Sequence, residues 1–516
     1  MRSRGAAPLR PVLPTPRGLS VAIAFVVLSV LITPFGRELF VGDETKYSEV
    51  VREMRATGTF FLPTLGGTPF THKPPVHFWL LDILSFVFGT YSIWTFVLPS
   101  LAAFAFLLWL MWRMGGPLAA FVCGTSVMVW GSAQTARMDV SFTAFIVLGA
   151  WMLSRFFERD DFRALLYAAL ALAVATLIKG PMAPVIALVL FALEAWRRRG
   201  VPRGNYLPAL AALIVIPLLW VVPAVMIGGR HYANEILVKQ TVGRAVSTWT
   251  HEAGPWFYLV RSPATLFPWF ALFVVAAIAR KPRFLLNWIV AVVLPYSLMA
   301  SKLDVYMMAM IPPVSLVIAD FIANADVVFA RRGRIANVIT LALLAAIGIA
   351  ALFVPLARIK GPEAALVAQT SVKMLFVVLA IAAIVALLVS LRGSLTSSTI
   401  ALGFVPLCAF AYVAIALMPM VNTLSSTRPL VDALIRQQVR GDEIALYQCP
   451  HMWSRREFPP DFESVHYADA SDVRALQPRV IVTSRKRADD LAETLRGYRK
   501  VNELRMIGKW FDVYRR

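Results

Sequence analysis

The stretch IWTFVLPSLAAFAFLLWLMW, residues 93–112, contains no charged residue and is as long as a helix that crosses a hydrocarbon core. Similar apolar runs recur along the chain of 516 residues, of which 58% are hydrophobic and 16% charged, with a mean hydropathy of +0.67. Too little polar surface remains to cover a water-soluble body of this size. The composition therefore excludes a cytosolic enzyme and a disordered chain, and it predicts a polytopic α-helical membrane protein.

About thirteen such runs precede residue 421, and we predict that residues 1–420 form a transmembrane domain. The runs lie near 19–36, 93–112, 116–136, 139–157, 163–178, 181–196, 206–228, 263–279, 284–300, 304–322, 335–356, 372–391 and 398–420. A cytoplasmic N-terminus puts every dense basic cluster between these runs on the inside, as the positive-inside rule requires.

One shorter apolar stretch, 76–90, carries His77 and Asp82. We interpret it as a juxtamembrane helix that lies in the outer interface, because a further span here would move the basic clusters outside. On this topology the segments 37–92 and 229–262 are outer loops, as is the C-terminal end of the chain.

The formal charge of +21 accords with basic residues that flank membrane spans and contact anionic membrane lipids, so it does not indicate nucleic acid. The three cysteines form no CxxC motif, and neither a disulfide framework nor a zinc ribbon is indicated.

Residues 421–516 are polar and are predicted to form a small α/β domain on the outer face. Strands are indicated by GDEIALYQ from residue 441, PRVIVTSR from 478 and KWFDVYRR from 509, and a helix by Ala488 to Tyr498.

Charged residues near membrane spans are candidates for function because burying them there is costly. The first group is the outer-loop segment GDETKYSE from residue 42, in which Asp43 and Glu44 open a helix and Lys46 shares a face with Asp43. Position alone leaves two interpretations of Asp43 open, a helix cap and a functional carboxylate.

Two further groups lie at predicted corners. Prolines hold His72 and Lys73 outside any helix interior, in the segment PFTHKPP from residue 69. Arg137 and Asp139 join two spans, and Asp139 is open to the same two interpretations as Asp43.

The last group comprises Arg244 and His251 in loop 229–262, with Lys179 and Lys302 at span ends. Cations gathered on one side beside two carboxylates suit a phosphate-bearing lipid, and the alternative is simple headgroup anchoring.

Five segments taken together resemble the GT-C glycosyltransferases of the ArnT and protein O-mannosyltransferase group. They are GDETKYSEVVREM, PTLGGTPFTHKPPVHFWL, RMDVSFTAF, TLIKGPMAP and SKLDVYMMAMIPP, in this order between residues 42 and 313. The resemblance implies a GT-C fold with about thirteen transmembrane helices, periplasmic juxtamembrane helices and a small C-terminal periplasmic α/β domain. It also implies a bacterial inner-membrane enzyme that passes a sugar, such as aminoarabinose, from an undecaprenyl-phosphate carrier to a lipid A phosphate.

The same resemblance implies roles for single residues. Asp43 and Asp139 match catalytic acids, and Lys46 and Lys73 match positions linked to the carrier phosphate. The candidate substrate-binding residues are Glu44, Lys46, Tyr47, Lys73, Arg137, Lys179, Arg244, Lys302 and Tyr306.

This chain departs from the family at two places. His72 stands where a glutamate usually precedes the lysine of the K-P-P motif, and Asp304 stands where a proline is usual. His72 and His251 are candidate zinc ligands, although two histidines make an incomplete site, and no cofactor is required. The sugar and the acceptor stay open.

Three alternative functions make different demands on these residues. The same donor class could serve an O-antigen, a core glycan or a protein Ser/Thr. A lipid-linked sugar transporter would place its polar groups nearer the bilayer midplane than these span-end charges. A structural scaffold would not account for Asp43 and Asp139.

Overall fold

The computed structural model describes residues 17–40, 42–90, 92–236, 238, 253–353, 370–447, 466–468, 470–506 and 509–516. Arg244 and His251 lie outside these residues, as do residues 237 and 239–252 of the predicted loop 229–262. The first sixteen residues, which are predicted to be cytoplasmic, also lie outside the described residues.

Helices dominate the first 435 residues. They are α1 Arg17–Ile32, α2 Asp43–Thr57, α3 Val76–Phe88, α4 Ile93–Gly124, α5 Val127–Ala133, α6 Asp139–Arg159, α7 Phe162–Lys179, α8 Met182–Arg198, α9 Leu207–Ala233, α10 Phe257–Thr265, α11 Phe270–Arg280, α12 Arg283–Leu298, α13 Ile311–Asn324, α14 Val327–Leu352, α15 Thr370–Arg392, α16 Leu395–Tyr412, α17 Met418–Ser425 and α18 Arg428–Ile435. A short hairpin, β1 Thr64–Leu65 and β2 Thr68–Pro69, stands between α2 and α3.

Eight helices in the described ranges are long and apolar enough to cross a membrane, or up to nine if the bent pair α10 and α11 forms one span. Three shorter apolar helices, Ile23–Gly36, Val76–Phe88 and Arg283–Leu298, are present as well. The prediction of a multi-pass helical membrane protein is therefore confirmed, whereas the number of thirteen spans stays a prediction.

The predicted runs 93–112 and 116–136 are joined more closely than the sequence indicates. Helix α4 continues to Gly124, but Gly116 has a φ of +76° and Pro117 follows it, so the chain changes direction inside this helix. The remainder of the second run forms α5, which ends at Ala133.

The stretch predicted to be a juxtamembrane helix forms α3. Its buried side includes His77, Phe78 and Leu81, while Phe86 and Val87 are exposed. A short helix with an exposed apolar side suits an interface between water and lipid, and this location stays a prediction.

The C-terminal segment contains a five-stranded sheet with the strand order β4-β3-β5-β7-β6. Its strands are β3 Ile444–Tyr447, β4 His466–Ala468, β5 Val480–Ser484, β6 Arg499–Met506 and β7 Lys509–Arg515, with helix α19 Ala470–Leu476 after β4 and α20 Ala492–Leu495 after β5. Strands β4, β3 and β5 pair in parallel, and β7 is antiparallel to both β5 and β6.

The three predicted C-terminal strands are present as β3, β5 and β7. The predicted helix from Ala488 to Tyr498 is shorter, because residues Arg485–Leu491 form a 3-10 helix and only α20 is α-helical. Asn422 connects this end of the chain to the segment before α2, since its side chain donates to the Gly36 carbonyl at 2.8 Å and accepts from the Glu38 N–H at 3.1 Å.

Helices α14 and α15 pack closely at Gly348, where an added Cβ would lie 2.9 Å from the backbone nitrogen of Ala380. We expect Gly348→Ala to destabilise the protein by about 1–3 kcal/mol, because backbone atoms there do not yield to a methyl group. Thermal unfolding in detergent measures the change. Gly131→Ala is the matched control, since a Cβ at this helical glycine meets nothing within 4 Å. Equal melting temperatures for the two variants would contradict the packing argument.

Candidate functional site

Helix α2 brings the first acidic pair to the site. Gly42 precedes it with a φ of +122°, a conformation that favours glycine and turns the chain into the helix. The Gly42 N–H donates to the Thr45 hydroxyl at 3.1 Å. Asp43 and Glu44 therefore occupy the first turn, where carboxylates interact favourably with the helix dipole.

Glu44 is a buried connector between two segments of the chain. One of its carboxylate oxygens pairs with the Arg37 guanidinium and accepts from the Phe40 N–H at 2.8 Å. The other oxygen accepts from the Ala136 N–H at 2.7 Å, and His77 Nε2 donates to the Ala136 carbonyl at 3.0 Å. Both backbone groups of Ala136 are thus held, and this fixes the link that carries Arg137 and Asp139.

Arg137 bridges the two candidate catalytic acids. Its Nε donates to Asp139 Oδ2 at 3.0 Å and lies 3.8 Å from Asp43 Oδ2. Lys46 Nζ donates to Asp43 Oδ1 at 3.2 Å, and Lys179 pairs with the other oxygen of Asp139. These five residues thus lie together in the structure, and their common function stays a prediction.

The two acids differ in accessibility. The side chain of Asp43 is 36% exposed, and that of Asp139 is 3% exposed. Partial burial raises the pKa of Asp43, but the positive charges of Lys46 and Arg137, with a contribution from Lys73, outweigh it and lower the pKa below its ordinary value. Asp43 is therefore an accessible carboxylate at neutral pH, and Asp139 is enclosed by its cations.

Helix α2 also positions the proline corner. The carboxylate of Glu53 accepts from the Thr64 hydroxyl at 2.6 Å and from the N–H groups of Gly66 and Gly67 at 2.7 and 3.2 Å. These bonds hold the turn of the β1–β2 hairpin against α2. The chain leaves this hairpin directly into the segment that carries His72 and Lys73.

A cavity of about 280 Å³ extends from this proline corner to the C-terminal end of α7, which carries Lys179. Its lining includes His72, Lys73, Lys179, Trp220 and Ile236. Two ammonium-bearing residues thus line one cavity beside the bridged acids, and such a cavity suits an anionic group.

Two predicted tyrosines border the same region. Tyr47 is buried against the rings of His77 and Phe78, with centroids 5.7 and 5.3 Å away. Burial, with the charges of Asp43 and Asp139, raises the pKa of Tyr47 well above its ordinary value, so its phenol stays protonated.

Tyr306 stacks on Tyr296 with a centroid separation of 4.9 Å, and the Lys179 ammonium lies 5.1 Å from the Tyr306 ring centroid. This cation–π contact, together with the Asp139 pair, orients Lys179.

Lys302 has a different environment from the other predicted cations. It is buried and donates to the carbonyl oxygens of Ser297, at 3.1 Å, and Met299. Cations stabilise the carbonyl end of a helix, and this arrangement satisfies the end of α12. Asp304, the departure noted in the sequence, pairs with Arg261 at 2.7 Å. A contact of Lys302 with substrate stays a prediction.

The zinc prediction is not tested by the structure. The His72 ring contacts the Phe70 ring at a tilt, with a centroid separation of 5.3 Å, and its predicted partner His251 lies outside the described residues. Among the residues that the structure describes, no group of three or more His, Cys, Asp or Glu side chains is placed to hold a metal ion. Arg244, the remaining predicted cation, also lies outside the described ranges.

Comparison with known proteins supports the resemblance seen in the sequence. The profile of the family described as dolichyl-phosphate-mannose-protein mannosyltransferase matches residues 72–220. An undecaprenyl phosphate-α-4-amino-4-deoxy-L-arabinose arabinosyl transferase from Edwardsiella ictaluri is 26% identical over 362 residues, which cover 66% of this chain and 65% of that protein. A transferase of the same name from Sodalis glossinidius is 28% identical, over 59% of this chain and 58% of that protein.

The fold is similar to that of ArnT from Cupriavidus metallidurans, in its crystal structure bound to undecaprenyl phosphate. The TM-score is 0.74 at 17% sequence identity, over 96% of this chain and 98% of that one. The predicted resemblance to the ArnT-like GT-C group is therefore confirmed, and the fold class is that of ArnT. The sequence match spans 65% and 58% of the length of the Edwardsiella and Sodalis transferases.

We expect Glu44→Ala to lower the stability of the protein by about 3–5 kcal/mol, because it leaves the buried Arg37 guanidinium without its partner. Thermal unfolding in detergent measures the loss. Glu493→Ala, at an exposed glutamate of α20, is the control and should unfold like the wild type. A Glu44→Ala protein as stable as this control would show that the connector is not needed.

Proposed function

We propose that this chain is a glycosyltransferase that takes a sugar from a polyprenyl-phosphate carrier, undecaprenyl phosphate, at the periplasmic face of a bacterial inner membrane. The observation that carries the proposal is the pair Asp43 and Asp139 bridged by Arg137, with Lys46, Lys73 and Lys179 around it. The names of the similar arabinosyl transferases support the same donor class.

The charge of the site suits the reaction. Four cations, Lys46, Lys73, Arg137 and Lys179, face two carboxylates and leave a net charge of +2. The donor is a phosphodiester with one negative charge, and it leaves as a phosphate monoester with a second one. Preorganised cations that face the growing charge lower the barrier to this step.

The bond changes follow from this arrangement. The bond between the sugar C1 and the carrier oxygen breaks, and its electron pair goes to the carrier phosphate. The acceptor attacks C1 from the opposite side. Asp43, which is accessible and anionic, is placed to orient the sugar and to balance the positive charge that develops at C1. Asp139 acts on substrate through the cations that it holds.

A lipid A phosphate is the acceptor that we propose first. Such an acceptor is already an anion, so it gives up one charge as the carrier phosphate gains one, and no proton has to move. Asp43 then needs to be ionised but need not act as a base. The bacterial relatives share a name that specifies an aminoarabinose donor, and this name supports aminoarabinose or a related sugar as the group that is transferred here.

A hydroxyl acceptor, such as a protein Ser/Thr or a glycan, is the second candidate. The match of residues 72–220 to the protein mannosyltransferase profile favours it. A hydroxyl must lose its proton as it attacks, and Asp43 would then serve as the general base. The two acceptors therefore assign different roles to the same carboxylate.

An apolar groove beside the site suits the lipid tail of the carrier. It has a volume of about 640 Å³, is lined by apolar side chains of α3, α4, α6 and α7, and includes His77 and Ser141 close to the acids. A carrier with its tail in this groove would bring its phosphate to the interface, where the cations lie. This placement requires the acid end of the spans to face the periplasm.

We expect purified protein, incubated with undecaprenyl-phosphate aminoarabinose and lipid A, to produce lipid A that is heavier by one sugar in mass spectrometry. Asp43→Asn should keep the melting temperature but reduce transfer about 100-fold or more, because the amide cannot carry the charge or accept a proton. Addition of the sugar to a protein or glycan acceptor instead would support the second candidate. Undiminished transfer by the Asp43→Asn protein would exclude Asp43 from the reaction.

The pH dependence of transfer should report the cations around Asp43. Because Lys46 lowers the Asp43 pKa, the wild type should lose activity only as the pH falls below the ordinary range of a carboxyl group. Lys46→Gln removes that charge, so the acid midpoint of the rate should move to higher pH, while Lys46→Arg should keep it low. Identical midpoints in the glutamine and arginine variants would contradict the electrostatic role of Lys46.

A further inference from the structure

A further cavity, lined in part by arginines, lies between the ends of two helices away from the acid site. It has a volume of about 830 Å³ and is formed by the C-terminal end of α8 and the first turn of α12. Arg197, Arg199 and Arg283 line it, and no carboxylate is among the lining residues that the structure describes. The space is many times the ~30 Å³ of a water molecule, so it admits a substantial anionic group.

The cavity is held together by a buried carboxylate. Glu194 is fully buried and accepts from Arg197 Nε at 3.0 and 3.1 Å, and from Asn287 Nδ2 at 2.7 Å. Its oxygen also lies 3.5 Å from Arg198 Nε. The Glu194–Asn287 bond connects α8 to α12, so the two helix ends that form the cavity are fixed relative to each other.

The remaining positive charge points to an anion. Glu194 balances Arg197, while Arg199 and Arg283 have no carboxylate partner among the described residues. Guanidinium groups bind phosphate through paired N–H donors, and this makes phosphate the favoured chemistry.

The cavity lies at the opposite end of the bundle from Asp43 and Asp139. Lys179 belongs to the acid site, and helix α8 begins three residues after it. The 17 residues of α8 extend about 25 Å, and Arg199 follows the last of them. On the topology predicted from the basic clusters, this end faces the cytoplasm.

The surroundings of the arginines are apolar and exposed. Trp196 is 82% exposed beside the cavity, and Leu188 on α8 and Val290 on α12 are exposed further along the two helices. Tryptophan is typical of the membrane interface, and exposed aliphatic side chains below it suit acyl chains. A soluble anion would gain nothing from these surfaces.

We propose that this cavity binds one anionic glycerophospholipid of the cytoplasmic leaflet. Arg199 and Arg283 contact its phosphodiester, Trp196 lies at the level of the headgroup, and the acyl chains lie along α8 and α12. Basic pockets between helices at the cytoplasmic side are known to take such headgroups. The proposal depends on the chain spanning the membrane and not on sugar transfer.

The test is lipid retention measured by native mass spectrometry on purified protein in neutral detergent. The probes are phosphatidylglycerol, phosphatidylcholine and inorganic phosphate, each added alone and in competition. We expect the wild type to retain one phosphatidylglycerol, and Arg199→Gln with Arg283→Gln to reduce that retention at least ten-fold. Arg331→Gln with Arg332→Gln removes the same charge elsewhere and should retain the lipid.

Three results would overturn the proposal. They are equal retention by the two double variants, equal retention of phosphatidylcholine and phosphatidylglycerol, and displacement of the lipid by inorganic phosphate, which would indicate a free-phosphate site. Melting temperatures check that the variants fold. If the double variant is unfolded, Arg199→Gln and Arg283→Gln are tested singly, each must retain less lipid than the wild type, and unchanged retention in both would also overturn the proposal.

Discussion

The pairing of Asp139 with Arg137 and Lys179 is the interaction on which the site depends. Asp139 is 3% exposed, and a carboxylate so enclosed is stable only with charged partners. The pair with Lys179 joins the start of α6 to the end of α7, and Arg137 extends the network to Asp43 on α2. One enclosed anion therefore holds together a cation from the link before α6 and a cation from the end of α7, in an arrangement that can receive phosphate.

Helix α2 supplies the rigid support for that arrangement. Glu44 holds the Ala136 backbone, Glu53 holds the hairpin before the proline corner, and Arg55 lies 3.8 Å from Asp82 of α3. Each of these contacts uses a charged side chain that is at least partly buried. Asp43, in the same helix, keeps a third of its surface exposed, so the more accessible of the two acids is carried by a helix that is held at several points.

The two ends of the bundle both carry clusters of cations, but they differ in how many carboxylates accompany these cations. At the acid end, carboxylates neutralise part of the cation cluster, and the residual charge suits a reaction in which phosphate charge grows. At the other end, Glu194 pairs with Arg197 and Arg198, and the guanidinium groups of Arg199 and Arg283, which have no carboxylate partner among the described residues, suit stable binding. The proportion of carboxylates to cations thus differs between the proposed site of sugar transfer and the proposed site of phospholipid binding.

Hydropathy determined the membrane class, and short segments rich in apolar and aromatic residues indicated the strands β3, β5 and β7, because both signals depend on local composition. The sequence indicated that Asp43 and Lys46 lie in an outer loop and that Arg137, Asp139 and Lys179 lie at outer span ends, and the structure brings these five residues together. The tertiary structure alone decided which of the remaining charges face the site. In the structure, the two carboxylate oxygens of Glu44 contact Arg37, Phe40 and Ala136. The ammonium of Lys302 donates to carbonyl oxygens at the end of α12. Such contacts join groups up to 92 residues apart, and a buried charge takes whichever partner packing brings to it, which no local pattern specifies.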